Sequence, residues 1–271
     1  MCFILFAWRV HPRYPLIFAG NRDESYNRPS ATPDFWSDAP EGFGGRDLEQ
    51  GGTWLGVTCS GRIAAVTNYR ERPVPSGTYR SRGELTARYL RGSEEPLSYL
   101  EGVASAATQY RAFSLLLGHR ERFYYYSNRA PATGAGSGLQ ELTPGVHGLS
   151  NHLLDTPWPK VVQGKARLAK LLNAGESEVV AGLYEILLDR TPGTDAELPD
   201  TGVGRVRERE LSASFVAGDR YGTRASTVML IDSAGAVFFS ERAFGPLGAP
   251  LGVTNKRFTL ERRLAPAATS R

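Results

Sequence analysis

The chain opens on an almost uninterrupted apolar run, Cys2 to Val10, and closes it with the turn His11-Pro12-Arg13-Tyr14-Pro15. A second apolar run, Leu16 to Ala19, follows at once, and two such runs around a Pro-containing turn read as a β-hairpin. The second strand leads into four consecutive polar residues, Asn21-Arg22-Asp23-Glu24. A polar cluster at the end of a strand is either a solvated turn or the rim of a site. Strands rise about 3.3 Å per residue, so matched strand lengths bring Arg22 or Asp23 back alongside Cys2. The stretch Asn27 to Gln50 shows no period, with aromatic residues scattered among Gly and Pro, and is expected to be irregular. Thr53 to Thr58 and Arg62 to Thr67 read as a hairpin whose exit is Asn68-Tyr69-Arg70.

Beyond it, helices are expected from Ser81 to about Arg91 and from Glu95 to Tyr110, then strands at Phe113 to Gly118 and Arg122 to Ser127. The aromatic run Phe123 to Tyr126 is best read as a half-buried strand rather than a stacking platform. A short strand is expected within Leu142 to Leu149, ending in Ser150-Asn151-His152, before amphipathic helices at Trp158 to Leu172 and Glu178 to Leu188. Asp189 to Arg220 is polar, punctuated by Gly and Pro, and long for a connector. A last hairpin joins Val228–Asp232 to Ala236–Ser240. Mostly antiparallel hairpins interleaved with helices describe an α+β fold, two sheets covered by helices in one domain over residues 1–255. Residues 256–271 are expected to form a frayed tail.

Composition narrows the function classes. The 271 residues carry 32 basic and 28 acidic side chains, and the basic excess is dispersed. The arginine-rich Arg205 to Arg209 lacks interleaved aromatic residues, which argues against nucleic acid as a partner. No run reaches the ~18–20 apolar residues of a membrane span, and no signal-peptide pattern opens the chain, so a cytoplasmic protein without stable membrane insertion is expected. The two cysteines, Cys2 and Cys59, are too few for a disulfide framework. The four histidines are scattered and no cysteine pair has ligand spacing, so no metal site is expected.

Cys2 is the candidate for chemistry. Methionine aminopeptidases accept small second residues, so removal of Met1 makes Cys2 the N-terminal residue. Its α-amine then has an ordinary pKa of roughly 7.7–8.0, suited to accepting the thiol proton. Nucleophile and base on one residue suffice for covalent acyl transfer.

Cys2, Asn21-Arg22-Asp23-Glu24, Asn27-Arg28-Pro29, Gly51-Gly52-Thr53-Trp54-Leu55-Gly56, Asn68-Tyr69-Arg70, Ser150-Asn151 and Gly222-Thr223-Arg224-Ala225-Ser226-Thr227, recurring in that order, together resemble the NRDE (Transport and Golgi organisation 2) family. That family is similar to N-terminal-nucleophile hydrolases of the choloylglycine hydrolase and penicillin acylase type. The resemblance implies an αββα sandwich, two largely antiparallel sheets between helical layers. It also implies a hydrolase of non-peptide C–N amide bonds with Cys2 as nucleophile and Asp23 holding the α-ammonium. Asn68 and Asn151 would stand near the oxyanion and Arg224 would be the late arginine. Asn21, Arg22, Trp54 and Tyr69 are the candidate substrate-binding residues. Those hydrolases carry Arg-x-x-Asp, whereas Arg22 and Asp23 are adjacent here, and the hydrolase arginine position falls on Gly20. As the alternative, the family also implies a non-catalytic carrier on the same fold, for haem or for acyl-CoA and lipid. No cofactor is expected, haem entering only as a transported ligand with Cys2, His147 or His152 as conceivable ligands. A small-molecule substrate or ligand is the expected partner, and oligomeric state is left open.

Overall fold

The computed structural model describes residues 2–131 and 138–261. The expected frayed end, 262–271, lies outside them. Among the described residues, thirteen strands and five α-helices follow one another, and the strands form two antiparallel sheets.

The first sheet is centred on β1 (Cys2–Trp8), β2 (Leu16–Ser25) and β11 (Tyr221–Ile231). It is extended by β10 (Gly145–Leu149) on one side and by β12 (Ala236–Phe244) and β13 (Pro250–Thr259) on the other. The second runs β3 (Ser30–Trp36), β4 (Ala39–Asp47), β5 (Leu55–Thr58), β6 (Arg62–Asn68), β7 (Phe113–His119), β8 (Arg122–Ser127) and β9 (Leu139–Glu141). Helices α3 (Pro159–Lys170) and α4 (Glu176–Leu187) cover the first sheet, and α1 (Gly83–Arg91) and α2 (Pro96–Ser105) cover the second. The layering is αββα.

This architecture explains the apolar run at the start of the chain. Side chains alternate across a strand, and β1 is buried on both faces. Ile4, Phe6 and Trp8 enter the core between the sheets with Phe18, Phe43, Phe123 and Phe239. Phe3, Leu5 and Ala7 face α3 and α4, packing with Leu168, Leu183 and Leu187. The same double burial governs β8. Phe123 and Tyr125 point between the sheets, and Tyr124 and Tyr126 point to α1 and α2. The strand is therefore buried on both faces, where one had been expected.

Four segments depart from the sequence reading. Asn27 to Gln50 contains the hairpin β3–β4, bent by irregular pairing around Pro33 and before Trp36. Its glycines hide it. Gly42 lies under the Trp36 indole, where a Cβ would come within 2.8 Å of the ring. The long connector contains α5 (Arg205–Ser212), a polar helix with little amphipathic signal. Strand β13 runs to Thr259, beyond position 255 at which the domain had been expected to end, because β12 offers it a full antiparallel partner. Strand β2 continues through the polar residues to Ser25, so Asn21–Glu24 belong to a strand rather than to the turn after one.

Candidate active site

The register of β1 and β2 sets the site. Cys2 lies opposite Arg22, Phe3 opposite Asn21 and Ile4 opposite Gly20. Residues directly opposite share a face, so Cys2, Arg22 and Gly20 face the second sheet, while Asn21 and Asp23 face α3 and α4. The pairing direction carries β2 past Cys2 to Asp23, which places the Cys2 backbone nitrogen on the Asp23 side. The adjacent arginine and aspartate thus serve opposite faces. Gly20 has no room for a side chain, because a Cβ there would stand 3.1 Å from both the Trp54 ring and the Phe3 carbonyl oxygen.

Cys2 is 7% exposed and lines a cavity of about 500 Å³. Arg22, Asp23 and Glu24 of β2 line it from the first sheet, and Thr53, Trp54, Val66 and Asn68 from the second. The wall opposite is the approach to α1, Tyr79 to Gly83, together with Arg111. That wall is fixed by backbone contact. The Thr53 amide donates to the Gly83 carbonyl at 3.1 Å, the Thr86 hydroxyl donates to the Thr53 carbonyl, and a Cβ on Gly52 would lie 2.5 Å from the Gly83 carbonyl carbon.

Asp23 is 2% exposed and accepts the Thr223 hydroxyl at 2.7 Å. Burial is the largest influence on its carboxyl and pushes it up, while Lys160, the Thr223 hydroxyl and Arg70 act the other way. Lys160 was not singled out from the sequence. It is 4% exposed, and its Nζ donates to the Leu211 and Ala213 carbonyls at 2.9 and 3.4 Å, closing the C-terminus of α5. Burial lowers its pKa to about 8. Its place on the amphipathic helix α3 gave no signal, since a lysine there reads as solvated.

The other sequence candidates divide. Trp54 and Asn68 line the Cys2 cavity, as does Arg22. Asn21 does not. It is fully buried, its amide donates to the Leu187 and Ser214 carbonyls at 2.8 Å, and its oxygen accepts the Ser226 hydroxyl, so substrate has no access to it. Asn151 sits behind Asn68, donating to its carbonyl at 3.0 Å, and outside the cavity lining. Arg224 falls in the bulge of β11 between Thr223 and Ala225 and binds the Ser25 and Arg28 carbonyls, away from Cys2. It lines a neighbouring cavity of about 360 Å³ with Arg22, Trp54 and Glu241. Tyr69 lines a third cavity of about 330 Å³ and hydrogen-bonds His152 Nε2 at 2.6 Å. The other ring nitrogen of His152 meets Thr156, and both nitrogens of His147 are engaged by Asp155 and the Thr143 carbonyl. Among the described residues no group of three or more His, Cys, Asp or Glu side chains is placed to hold a metal ion, and no helix is long and apolar enough to cross a membrane.

Glu241 provides a pH test of the cavity wall. It is 8% exposed, accepts the Thr227 hydroxyl at 2.7 Å, and burial raises its pKa to about 7. Between the ordinary carboxyl pKa and about 7 the native state keeps a proton that the unfolded state has released. This group's contribution therefore favours folding below that window, declines as pH rises through it, and levels off above about 7. Glu241→Gln keeps an acceptor and removes the titration. Its stability relative to wild type is expected to rise between pH 5 and pH 8 by on the order of 2–3 kcal/mol in urea denaturation, and an unchanged difference sinks the assignment.

Fold and site together define an αββα protein with a cysteine at the start of a central strand, a carboxylate on the amine side of that cysteine, and an arginine across from it. The family model for Transport and Golgi organisation 2 matches residues 1–246, and the chain belongs to that family. It is 37% identical over 262 residues to the Transport and Golgi organization protein 2 homolog of Bos taurus, covering 90% of this chain and 93% of the relative. The human homolog gives the same identity and coverage. The Drosophila melanogaster Transport and Golgi organization protein 2 is 31% identical over 286 residues, covering 94% and 96%. Among solved structures, the chain is similar to the Caenorhabditis elegans ortholog of N-acylethanolamine-hydrolyzing acid amidase, with TM-score 0.46, 12% identity and coverage of 84% and 92%. It is also similar to the C2A mutant of the conjugated bile acid hydrolase from Clostridium perfringens, with TM-score 0.41, 10% identity and coverage of 98% and 100%.

Proposed function

We propose that the protein is an N-terminal-cysteine hydrolase of a linear, non-peptide C–N amide bond. The observation that carries this reading is the pairing of Cys2 with Arg22 and the continuation of β2 to buried Asp23, at the floor of a cavity that also holds Asn68.

In the chain that retains Met1, burial pushes the Cys2 thiol up, and the thiol stays protonated at neutral pH. Removal of Met1 gives Cys2 an α-amine whose nitrogen lies on the Asp23 side. Asp23 orients that amine, and the buried Lys160 ammonium offsets the Asp23 charge, which keeps the amine from being locked as ammonium. The amine takes the thiol proton, and the Arg22 guanidinium on the thiol's own face stabilises the thiolate. The thiolate attacks the amide carbonyl, and the Asn68 side chain, which lines the cavity, donates to the oxyanion, with Asn151 pinning the Asn68 backbone. The C–N bond breaks as the α-ammonium returns its proton to the leaving amine. Water, deprotonated by the same α-amine, hydrolyses the thioester and restores the thiol.

Intact mass and thiol labelling across pH test the first steps. Met1 is expected to be absent, and Cys2 to react near neutral pH much faster than Cys59, whose thiol is also raised, chiefly by burial. Retained Met1 or an inert Cys2 turns the reading toward a ligand carrier, for which haem and acyl-CoA titrations are the direct measurement.

A further inference from the structure

The Cys2 cavity holds charged groups that neither the nucleophile nor the amine uses. Five arginines and four carboxylates line it. Arg28 is held by Asp47 at 2.6 Å and by Glu49 at 3.6 Å, and Arg80 pairs with Glu84. Asp23 serves the other face of β2. Glu24 remains, its carboxylate accepting the Ser25 amide.

Arg82 and Arg111 are different. Neither has a carboxylate within ion-pair distance among the described residues. Arg82 is half-buried, and its guanidinium donates once, to the Ala112 carbonyl at 3.1 Å. Arg111 lies over the Tyr79 ring at 5.6 Å. Burial acts against the Arg82 charge, and ionised Cys2 is among the groups that favour it, which sets the guanidinium in the field of the thiolate. Arg111 is exposed, and the remaining donors of both guanidinia are unmatched by protein acceptors among the described residues, so they are open to an anion entering the cavity. Both arginines also line the adjoining cavity of about 330 Å³, so they stand on the ridge between two open spaces beside the nucleophile.

We propose that Arg82 and Arg111 form an anion subsite beside Cys2, and that the amide hydrolysed there carries a carboxylate. The planar fork of a guanidinium matches a carboxylate bidentately. The near balance of arginines and carboxylates in the cavity suits a monoanion better than a doubly charged phosphate monoester. Hydrolysis of such an amide yields an amine and a carboxylic acid, with the pre-existing carboxylate passing unchanged into one of the two products. The subsite deepens the hydrolase reading and rests on it for the identity of the reaction, though not for the binding of the anion.

Alkylation of Cys2 by iodoacetate and by iodoacetamide separates the two claims, since the reagents differ in charge at the same chemistry. The iodoacetate-to-iodoacetamide rate ratio at Cys2 is expected to exceed that at Cys59, and to fall roughly fivefold in Arg82→Gln and in Arg111→Gln, as the loss of one nearby charge implies. A ratio that does not move while Cys2 still reacts overturns the subsite and leaves the nucleophile standing. If Cys2 reacts with neither reagent, the hydrolase reading fails, and the subsite is decided by titrating the Cys2→Ala protein. N-hexanoylglycine is then expected to bind about tenfold tighter than neutral N-hexanoylethanolamine, with the preference lost in Arg82→Gln/Arg111→Gln. Equal affinities overturn the subsite, and preferential binding of inorganic phosphate over N-hexanoylglycine overturns the carboxylate assignment.

Discussion

Cys2→Ala is expected to abolish amide turnover, with a loss of about 10⁴-fold or more, the scale seen when a covalent nucleophile is removed. The side chain is small and sits at the first position of β1, opposite Arg22. Replacing its sulfur by hydrogen leaves the core residues Ile4, Phe6 and Trp8 in place, so the variant should fold. Alanine in second position also permits removal of Met1, which keeps the α-amine, Asp23 and Lys160 as they are in the wild type. Loss of turnover in a folded, correctly processed variant therefore reports on the thiol alone. Cys59→Ala is the matched control, since Cys59 stands in the turn after β5 and outside the cavity lining. Progress curves with a panel of linear amides, alongside circular dichroism of each variant, make the measurement. Turnover that survives Cys2→Ala removes the nucleophile from the mechanism.

Arg70→Met is expected to destabilise the protein by about 3–5 kcal/mol, the cost of leaving one partner of a buried ion pair alone. Arg70 Nη1 meets Glu208 Oε2 at 2.6 Å, with both side chains 6% exposed or less. The Arg70 guanidinium also lies over the Trp158 ring at 4.9 Å. The other Glu208 oxygen accepts the Thr201 amide and hydroxyl at 2.8 and 2.5 Å. This one carboxylate therefore joins the exit of β6, the stretch of the connector before α5, and α5 itself. Arg70→Met leaves Glu208 charged and buried without its cation. The double variant Arg70→Met/Glu208→Gln keeps an acceptor for Thr201 and removes the stranded charge, so it is expected to regain a large part of the loss. Urea denaturation of both variants checks this, and a double variant as unstable as the single one contradicts it. The consequence reaches the candidate site, because α5 ends on the carbonyls that hold Lys160, and the Arg70 amide is bonded to the Asn151 carbonyl at 2.7 Å.

Local sequence was informative where burial was two-sided and misleading where polar or small residues had tertiary work. The continuous apolar pattern of β1 can be satisfied only by a strand covered on both faces, and the structure supplies those covers. Glycines around Phe43 read as a loop because a missing side chain looks the same in a turn as beneath the Trp36 ring. Helix α5 escaped notice because an ion pair and a lysine fix it in place of an apolar stripe. The candidate residues show the same divide. Cys2, Arg22 and Asp23 lie on neighbouring strands of one hairpin, so their register follows from the turn between them. Arg82 and Arg111 reach the cavity from the approach to α1 and from the approach to β7, segments that no local pattern connects to Cys2.

By itself, the sequence determined most of the hairpins, most of the helices, the α+β class and the candidate nucleophile, because hydrophobic periodicity and short-range pairing are local properties. Tertiary structure alone decided which polar side chains meet. A strand alternates strictly, so a single step along β2 sends Arg22 to the thiol and Asp23 to the amine side. Asn21 is held among backbone carbonyls, Arg224 is diverted by a bulge, and Lys160 is drawn beneath the sheet. Those outcomes depend on where distant segments leave donors and acceptors unmatched once water is excluded, and spacing along the chain carries no record of that.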